Sequence, residues 1–359
     1  MAGGAAKQAD GAGAAGTVDL DALIEPHLRQ AVAALDGPAP LVAGMARFHL
    51  GEAGPDLAPL PPGAVDRGKR VRPAVALLAA AAAGGDAATA APLGAALELL
   101  HNFTLIHDDV QDESPTRRHR PTVWSLWGVG QAINAGDALF AAAHLPLHRL
   151  EDLGVPPATV LRLVDAFDRT TIAIVAGQTL DLGFEGRADV TPDDYLRMID
   201  GKTAAIVRFA AWGGALLGGA GPAAADRFGD FGRALGLGFQ VRDDLLGIWG
   251  TTGETGKAPA DDIRRRKQSL PILMLRQRAS PAELAELDAR FALGAVDPEG
   301  VDRVLALLAA HDVRAAVEER VEAFHDEARD ALLDAAGRGP NPARDRLRDL
   351  VERLAARSG

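Results

Sequence analysis

Apolar residues recur along most of this chain at the three- and four-residue steps that place side chains on one face of an α-helix. Val313, Val317, Val321, Phe324 and Ala328 form one such series. The alternation of apolar and polar residues that is typical of strands is scarce, and no fixed-period repeat is present. This pattern predicts an all-α fold.

Clusters of turn-forming residues separate the predicted helices, at positions 154–157, 191–193, 219–222 and 280–281. Residues 1–16 are rich in Gly and Ala and predict a flexible tail, because such residues bury little side-chain surface. We expect residues 17–359 to form one large helical bundle domain with a central active-site cleft between the helices. A Pro-rich stretch at 55–63 predicts a linker inside it.

The composition narrows the class of protein. With 359 residues, of which 48% are hydrophobic, the chain can bury a substantial core. Its formal net charge of −11 argues against nucleic-acid binding, and the absence of cysteine excludes disulfides and thiolate metal sites. The apolar stretches 74–83 and 210–220 are too short to span a bilayer, and residues 1–16 lack the apolar core of a signal peptide. We therefore expect a cytoplasmic protein.

The most informative stretch is acidic. Asp108, Asp109 and Asp112 follow a nearly unbroken apolar helical run, and Arg117 and Arg118 come shortly afterwards. Asp108 and Asp112 are four residues apart and share a helical face, with Asp109 beside them. Carboxylates at the end of a buried helix need a cation to balance their charge. Mg²⁺ suits carboxylate oxygens and often binds substrate phosphates at the same time. Paired arginines also bind phosphate oxygens well. The stretch predicts metal-assisted chemistry on a diphosphate.

A second acidic pair supports this interpretation. Asp243 and Asp244 lie in another largely apolar segment, and Gln240 precedes Asp244 by one helical turn. Two such clusters on facing helices would form a metal clamp around a diphosphate leaving group.

Several further motifs occur in a fixed order between residues 68 and 271. They are GKRVRP at 68–73, HDDVQDESPTRRHRPT at 107–122, GQTLD at 177–181, KT at 202–203, RDDLLG at 242–247, and the segment from GK at 256–257 to SLP at 269–271. These motifs resemble those of the trans-type isoprenyl diphosphate synthases, also called the polyprenyl synthetase family. The resemblance covers more than half of the chain and is greatest to short-chain synthases that make geranylgeranyl or farnesyl diphosphate.

The resemblance implies roles for individual residues. Those that would hold the diphosphate of isopentenyl diphosphate are Lys69, Arg72, His101 and Arg118. Other substrate contacts would come from Arg117, Gln178, Asp181, Lys202, Thr203, Gln240, Lys257 and Lys267. The metal ligands would be Asp108, Asp109, Asp112, Asp243 and Asp244. Catalysis would rest chiefly on Asp108, Asp112, Asp243 and Lys202.

The reaction that the resemblance implies is a head-to-tail condensation. An allylic diphosphate ionises, the double bond of isopentenyl diphosphate attacks the carbocation, and a proton is lost. The family resemblance also implies Mg²⁺, which we expect as three ions per active site, and a homodimer of bundles of the isoprenoid synthase type.

Two positions depart from the family pattern. Gly247 stands where the second acidic motif usually ends in Asp, and we expect water to take the place of that carboxylate, because Mg²⁺ tolerates retained waters. Ala260 stands where a glycine usually lies, two residues before Asp262. Closure of this segment over the site is therefore expected to differ in rate.

Product length is predicted from the residues below Asp108 on its helix. Phe103 is the fifth residue before Asp108 and Thr104 the fourth, so that a bulky side chain and a small one lie near the path of the growing product. In the family this pattern resembles that of some C20 synthases. We expect geranylgeranyl diphosphate, with farnesyl diphosphate (C15) as the alternative.

Three other classes of protein deserve comparison. A class I terpene cyclase would carry a second motif that begins with Asn-Asp, a pair that does not occur in this chain. A di-iron bundle is suggested by the pairs Glu98/His101 and Glu322/His325, although His325 is expected on a solvated face. A non-catalytic partner subunit is the third class, and the intact first acidic motif argues against it.

Overall fold

The structure is a computed structural model that describes residues 19–61, 63–64, 68–251, 259–292 and 295–355. Within these ranges the chain forms sixteen α-helices and one two-stranded antiparallel hairpin. The predicted all-α fold is therefore confirmed. None of the helices in these ranges is long and apolar enough to cross a membrane. The tail predicted at residues 1–16 lies outside the described residues.

The first nine α-helices are α1 (Leu20–Ala33), α2 (Pro40–His49), α3 (Val71–Ala82), α4 (Ala91–Gln111), α5 (Val123–Trp127), α6 (Val129–His148), α7 (Pro157–Phe184), α8 (Pro192–Ile199) and α9 (Ala205–Leu217). The remaining seven are α10 (Pro222–Trp249), α11 (Asp261–Arg264), α12 (Leu270–Arg278), α13 (Pro281–Ala292), α14 (Pro298–Ala310), α15 (Val313–Ala336) and α16 (Pro342–Ala355). The hairpin pairs β1 (Thr116–Arg117) with β2 (Arg120–Pro121). Short 3₁₀ turns occupy Ala87–Ala90 and Glu151–Leu153, and a π-helical turn occupies Asp200–Ala204.

The four predicted turns each precede a helix that begins with proline, at Pro157, Pro192, Pro222 and Pro281. Proline is favoured at the first helical position because its φ angle suits the helix and its missing N–H would be unpaired there anyway. The local sequence therefore specifies where these helices begin.

Helix α10 joins the two parts of the core. Its first half packs Phe228 and Phe231 into a cluster with α3, α4, α6 and α9. Its second half packs Leu245 and Ile248 into a cluster with α8, α12, α14 and α15. Because α10 also carries the second acidic pair, its position in both clusters determines where that pair lies.

Glycines allow α9 to lie directly against both α3 and α10. A Cβ atom built on Gly214 of α9 would lie 2.8 Å from the carbonyl carbon of Ala76 in α3. A Cβ atom on Gly232 of α10 would lie 2.9 Å from the Cα atom of Arg208 in α9. These separations are shorter than real Cβ contacts, so the backbones pack without intervening side chains.

We expect Gly214→Ala to lower the free energy of unfolding by about 1–3 kcal/mol, because the added methyl group would overpack the contact between α9 and α3. The matched control is Gly183→Ala in α7, where a Cβ atom would meet nothing within 4 Å. That change should be neutral or stabilising by up to about 1 kcal/mol, because alanine favours a helix. Urea denaturation measures both, and equal stabilities would contradict the packing argument.

Candidate active site

A cavity of about 800 Å³ opens between α3, α4, α7, the π-helical turn and α10. Most of the predicted site residues line it, although they come from distant parts of the sequence. They are Lys69, Arg72, His101, Phe103, Thr104, Asp108, Arg117, Arg118, Gln178, Lys202, Thr203, Gln240 and Asp243. Lys257 lies outside the described residues.

Asp108 and Asp243 form the acidic side of this cavity. Asp108 lies in the last turn of α4, and Asp243 lies in the second half of α10. Burial raises the pKa of Asp108 to about 6, and repulsion from Asp112 adds to the effect, while Lys202 opposes it. A carboxyl group in this situation is stabilised by a bound cation.

Asp109 does not line this cavity, and its role as a metal ligand stays a prediction. Its side chain is buried on another face of α4 and accepts a hydrogen bond from Nε of Arg117 at 2.8 Å. Adjacent helical residues point about 100° apart, and of these two only Asp108 lines the cavity. Burial raises the pKa of Asp109 to about 6, against the effect of Arg117.

Asp244 is likewise turned away from the cavity and is fully buried. Its carboxylate accepts hydrogen bonds from the Tyr195 hydroxyl, from the Leu270 N–H at 3.1 Å, from Nζ of Lys267 at 3.2 Å and from Nε2 of Gln240 at 3.4 Å. The Asp244 carboxylate therefore joins α8, α10 and α12, and its role as a metal ligand stays a prediction.

Lys202 is positioned by the π-helical turn, a rare local form that is frequent at functional sites. A Cβ atom on Gly177 of α7 would lie 2.8 Å from the Cα atom of Lys202, so the two backbones touch. The Lys202 ammonium group forms an ion pair with Asp181. The next residue, Thr203, donates a hydrogen bond to Gln240 at 2.9 Å and so ties the turn to α10.

Asp181, Asp112 and Lys267 lie in an adjoining cavity of about 760 Å³. Asp112 follows the last residue of α4, and its N–H donates a hydrogen bond to the Asp108 carbonyl at 2.8 Å, so the two residues are one helical turn apart. Burial opposes the charge of Lys267, but Asp244 and Asp262 outweigh this effect and raise its pKa.

The basic side of the main cavity is built on the loop that enters α3. Gly68 has a φ angle of +80°, and a Cβ atom there would lie 2.8 Å from Cζ of Arg118, so the loop and this arginine lie in contact. Lys69 and Arg72 line the same side. Burial, together with Arg72 and Arg118, lowers the pKa of His101 well below its ordinary value. These groups favour the neutral form of His101, which can donate one hydrogen bond.

Phe103 lines the cavity and belongs to a cluster of aromatic rings. Phe103 lies 5.2 Å from Phe140 of α6 and 4.8 Å from His107, measured between ring centroids. Phe167 of α7 stacks behind Phe140 at 6.4 Å. The sequence predicted only Phe103 at this depth. The spacing of residues within α4 does not indicate which residues of another helix pack against it.

The structure adds three residues to the site. Glu98 lines the cavity near Arg72, and its burial raises its pKa. In the sequence, an acidic residue within an apolar run was the feature that could have identified Glu98. Phe239, next to Gln240, also lines the cavity. Tyr195, the only tyrosine in the sequence, donates a hydrogen bond from its hydroxyl group to Asp244. No spacing in the sequence indicated Tyr195.

The acidic residues suit Mg²⁺ in donor chemistry. Carboxylate oxygens are the hard ligands that Mg²⁺ prefers, and Asp108 and Asp243 both line the cavity. Among the described residues no three Asp, Glu, His or Cys side chains converge closely enough to hold a metal ion alone. Mg²⁺ commonly shares its coordination with substrate phosphates and water.

The di-iron alternative lacks a ligand cluster, because no three His, Cys, Asp or Glu side chains among the described residues could hold a metal ion, His325 included. This side chain was expected on a solvated face, and that expectation is wrong, because the ring is fully buried against Gly238 of α10. Within the described residues neither ring nitrogen has a hydrogen-bond partner, and burial lowers the pKa of His325. A His in this environment acts as a core residue.

Comparison with known proteins agrees with the geometry. Residues 63–308 match the family model for polyprenyl synthetases. The chain is 42% identical over 303 residues to a geranylgeranyl diphosphate synthase of Mycobacterium tuberculosis, and the aligned region covers 83% of each chain. It is 42% identical over 250 residues to a (2E,6E)-farnesyl diphosphate synthase of Mycobacterium bovis, which covers 70% of this chain and 67% of that one.

The fold comparison gives the same result. The crystal structure of a polyprenyl synthetase from Streptomyces coelicolor A3(2) superposes with a TM-score of 0.82 at 35% sequence identity and covers 94% of this chain and 98% of that one. The match spans the bundle and the motifs that line its cavity. The chain therefore belongs to the polyprenyl synthetase family and is a trans-prenyl diphosphate synthase.

Proposed function

We propose that this enzyme condenses isopentenyl diphosphate with an allylic diphosphate and releases geranylgeranyl diphosphate as its main product. The observation that carries the proposal is the presence of two separate cationic groups on one cavity. Lys69, Arg72 and Arg118 form one group, and Lys202 stands beside Asp108 in the other. A reaction that joins two diphosphates needs two such places, one for each substrate.

Each side of the cavity then has its own task. Lys69, Arg72 and Arg118 bind the diphosphate of isopentenyl diphosphate, and neutral His101 donates a hydrogen bond to it. Lys202 and Arg117 bind the allylic diphosphate and stabilise the charge that develops as its C–O bond breaks. The apolar walls of the cavity keep water from the carbocation.

The acidic residues that would hold Mg²⁺ with this diphosphate are Asp108, Asp112 and Asp243, with three ions as the expected number. Bound Mg²⁺ supplies positive charge to the departing diphosphate. Asp181 pairs with Lys202 and so keeps that ammonium group beside the acidic cluster.

Two alternatives are less well supported. A class I terpene cyclase uses one diphosphate substrate and would have no need for the cationic group around Lys69 and Arg72. A non-catalytic subunit would not need both groups intact. A farnesyl diphosphate product remains the close alternative, because a relative of equal identity carries that name.

We also propose a homodimer that forms through α6 and α7. These helices expose several large apolar side chains, which the surface of a monomeric protein seldom presents together. Leu161 is 70% exposed and Ile172 is 68% exposed, and Val129 and Ile133 are 48% and 42% exposed. Association with a second copy would remove this surface from water.

Asp108→Ala and Asp243→Ala should each lower turnover by at least about 10²-fold, because each removes a group that stabilises the leaving diphosphate. Helix content should stay unchanged, since neither side chain packs the core. Asp302→Ala on the exposed face of α14 is the control and should leave the rate unchanged. Turnover is measured with isopentenyl diphosphate and each allylic primer in Mg²⁺. Near-normal rates in either site variant would refute the metal assignment.

The two cationic groups should separate kinetically. We expect Lys69→Ala and His101→Ala mainly to raise KM for isopentenyl diphosphate, because they remove ground-state binding of that substrate. Lys202→Ala should mainly lower kcat, because its contact strengthens as the allylic diphosphate departs; Lys257→Ala should behave in the same way. Steady-state kinetics with each substrate varied in turn provides the measurement. Identical defects in all four variants would argue against two distinct pockets.

Product length should respond to the residues at the closed end of the cavity. Phe103→Ala removes a ring from the path of the growing chain and should lengthen the products. Thr104→Phe, one turn below Asp108, should shorten them. Products are dephosphorylated and sized by chromatography, with wild-type enzyme at the same substrate ratio as the control. If neither change shifts the distribution, the limit to chain length lies elsewhere.

A further inference from the structure

The hairpin that carries Arg117 and Arg118 contains a strained turn. Its strands pair Arg117 with Arg120, so Arg118 and His119 alone form the turn. Both turn residues have positive φ angles, +50° at Arg118 and +61° at His119. Hairpin turns of type I′ need positive φ at both positions, which is why Asn and Gly usually occupy them. The side chains of Arg and His oppose this conformation, so contacts outside the turn must hold it.

Arg120 provides such a contact, because it docks the hairpin on the end of α2. Its Nη1 and Nη2 atoms donate hydrogen bonds to the carbonyls of Phe48 and Ala53, each at 3.0 Å. Its Cζ atom also lies over the Phe48 ring, 4.3 Å from the centroid, where the face of the ring attracts a cation. The Phe48 carbonyl lies in the last turn of α2, and the helix dipole favours positive charge there.

The ring below Arg120 is itself fixed in the core. The Phe48 side chain is buried and packs edge-to-face against Trp127 of α5, with 5.0 Å between the ring centroids. The Thr122 N–H donates to the Pro115 carbonyl at 3.0 Å and closes the base of the hairpin. The turn is therefore held at its base by the backbone and at its side by Arg120.

The turn presents Arg118 to the active-site cavity. The Arg118 side chain lines the cavity and contacts Gly68, on the same side as Lys69 and Arg72. Arg120 lines a separate, small pocket beside α2. Arg120 can therefore affect the cavity through the position of Arg118.

Arg117, the other arginine of the hairpin, has a support of its own. Its Nε atom donates a hydrogen bond to the buried Asp109 of α4 at 2.8 Å. Arg118, by contrast, lies in the strained turn itself. Loss of Arg120 should therefore displace Arg118 more than Arg117.

We infer that Arg120 is a positioning residue for the isopentenyl diphosphate site: by docking the hairpin on α2, it holds the strained turn in the conformation that presents Arg118. The inference rests on the proposed function, in which Arg118 binds the diphosphate of isopentenyl diphosphate. Arg120 does not touch the substrate and acts by favouring one conformation of the turn over the others. The site can then bind this substrate without first reordering the turn.

Steady-state kinetics of the full-length enzyme tests the inference, with each substrate varied in turn at a saturating level of the other. Arg120→Met keeps an unbranched side chain but removes the charge and both hydrogen bonds. It should raise KM for isopentenyl diphosphate by about tenfold, because only a fraction of the molecules would present Arg118 correctly. The values of kcat and of KM for the allylic diphosphate should change by less than about twofold.

Arg303→Met is the matched control for the loss of an arginine. Arg303 of α14 donates a hydrogen bond to Glu286 of α13 at 2.9 Å, and neither residue lines the cavity. All three kinetic constants should keep their wild-type values in this variant.

A rescue at the turn gives a second arm. Glycine adopts positive φ without strain, so His119→Gly lowers the cost of the native turn. The double variant Arg120→Met with His119→Gly should therefore recover most of the lost affinity for isopentenyl diphosphate, whereas His119→Gly alone should leave KM close to the wild-type value. If Arg120→Met does not fold, as judged by circular dichroism, Arg120→Lys decides the matter. Lysine keeps the charge but has one nitrogen for two carbonyls, so KM should rise in the same direction by a smaller factor.

The outcomes separate this inference from the proposed function. A wild-type protein that makes no prenyl product from isopentenyl diphosphate and an allylic diphosphate would overturn the proposed function. Beside an active wild type, an unchanged KM for isopentenyl diphosphate in the Arg120 variants would overturn only the role of Arg120. Equal losses in kcat and in both KM values would also overturn it, because they indicate a general loss of structure. A raised KM that His119→Gly does not lower would contradict the part assigned to the turn.

Discussion

The active-site cavity depends on how negative charge is compensated inside an apolar helix bundle. Buried carboxylates are tolerated only where they are paired. Asp109 has Arg117 as its partner, and Asp244 is held by Tyr195 and Lys267, so these two acids join helices to one another. Asp108 differs because it lines the cavity, near Lys202. A carboxylate in this position is open to a cation that enters the cavity.

Close backbone packing fixes the two sides of the cavity relative to each other. Gly214 and Gly232 allow α9 to touch both α3 and α10, and α3 begins at the basic loop while α10 carries Asp243. Gly177 makes a similar contact with the π-helical turn that presents Lys202. Backbone contacts are stiffer than contacts through long side chains, because they leave no rotamers to adjust. The small residues thus hold the charged ones at a constant separation.

The charged residues and the aromatic residues occupy different parts of the same helices. The charged residues lie at helix ends and in the entry loop, whereas Phe103 and Phe140 lie inside α4 and α6. Under the proposed function, a change among these rings would alter the length of the product while the charged residues remain as they are.

The sequence alone determined the helical class, the proline-marked helix starts and most of the residues that line the cavity, because periodicity and motif order are local properties of the chain. Only the tertiary structure decided which acids face the cavity, since Asp108 and Asp109 are adjacent in sequence but lie on different helical faces. It also decided that His325 is buried, that Phe140 backs Phe103, and that Asp262 fills the space beside Gly247. Each of these facts depends on which other segment covers a given face, and the spacing of residues within one helix carries no information about that neighbour.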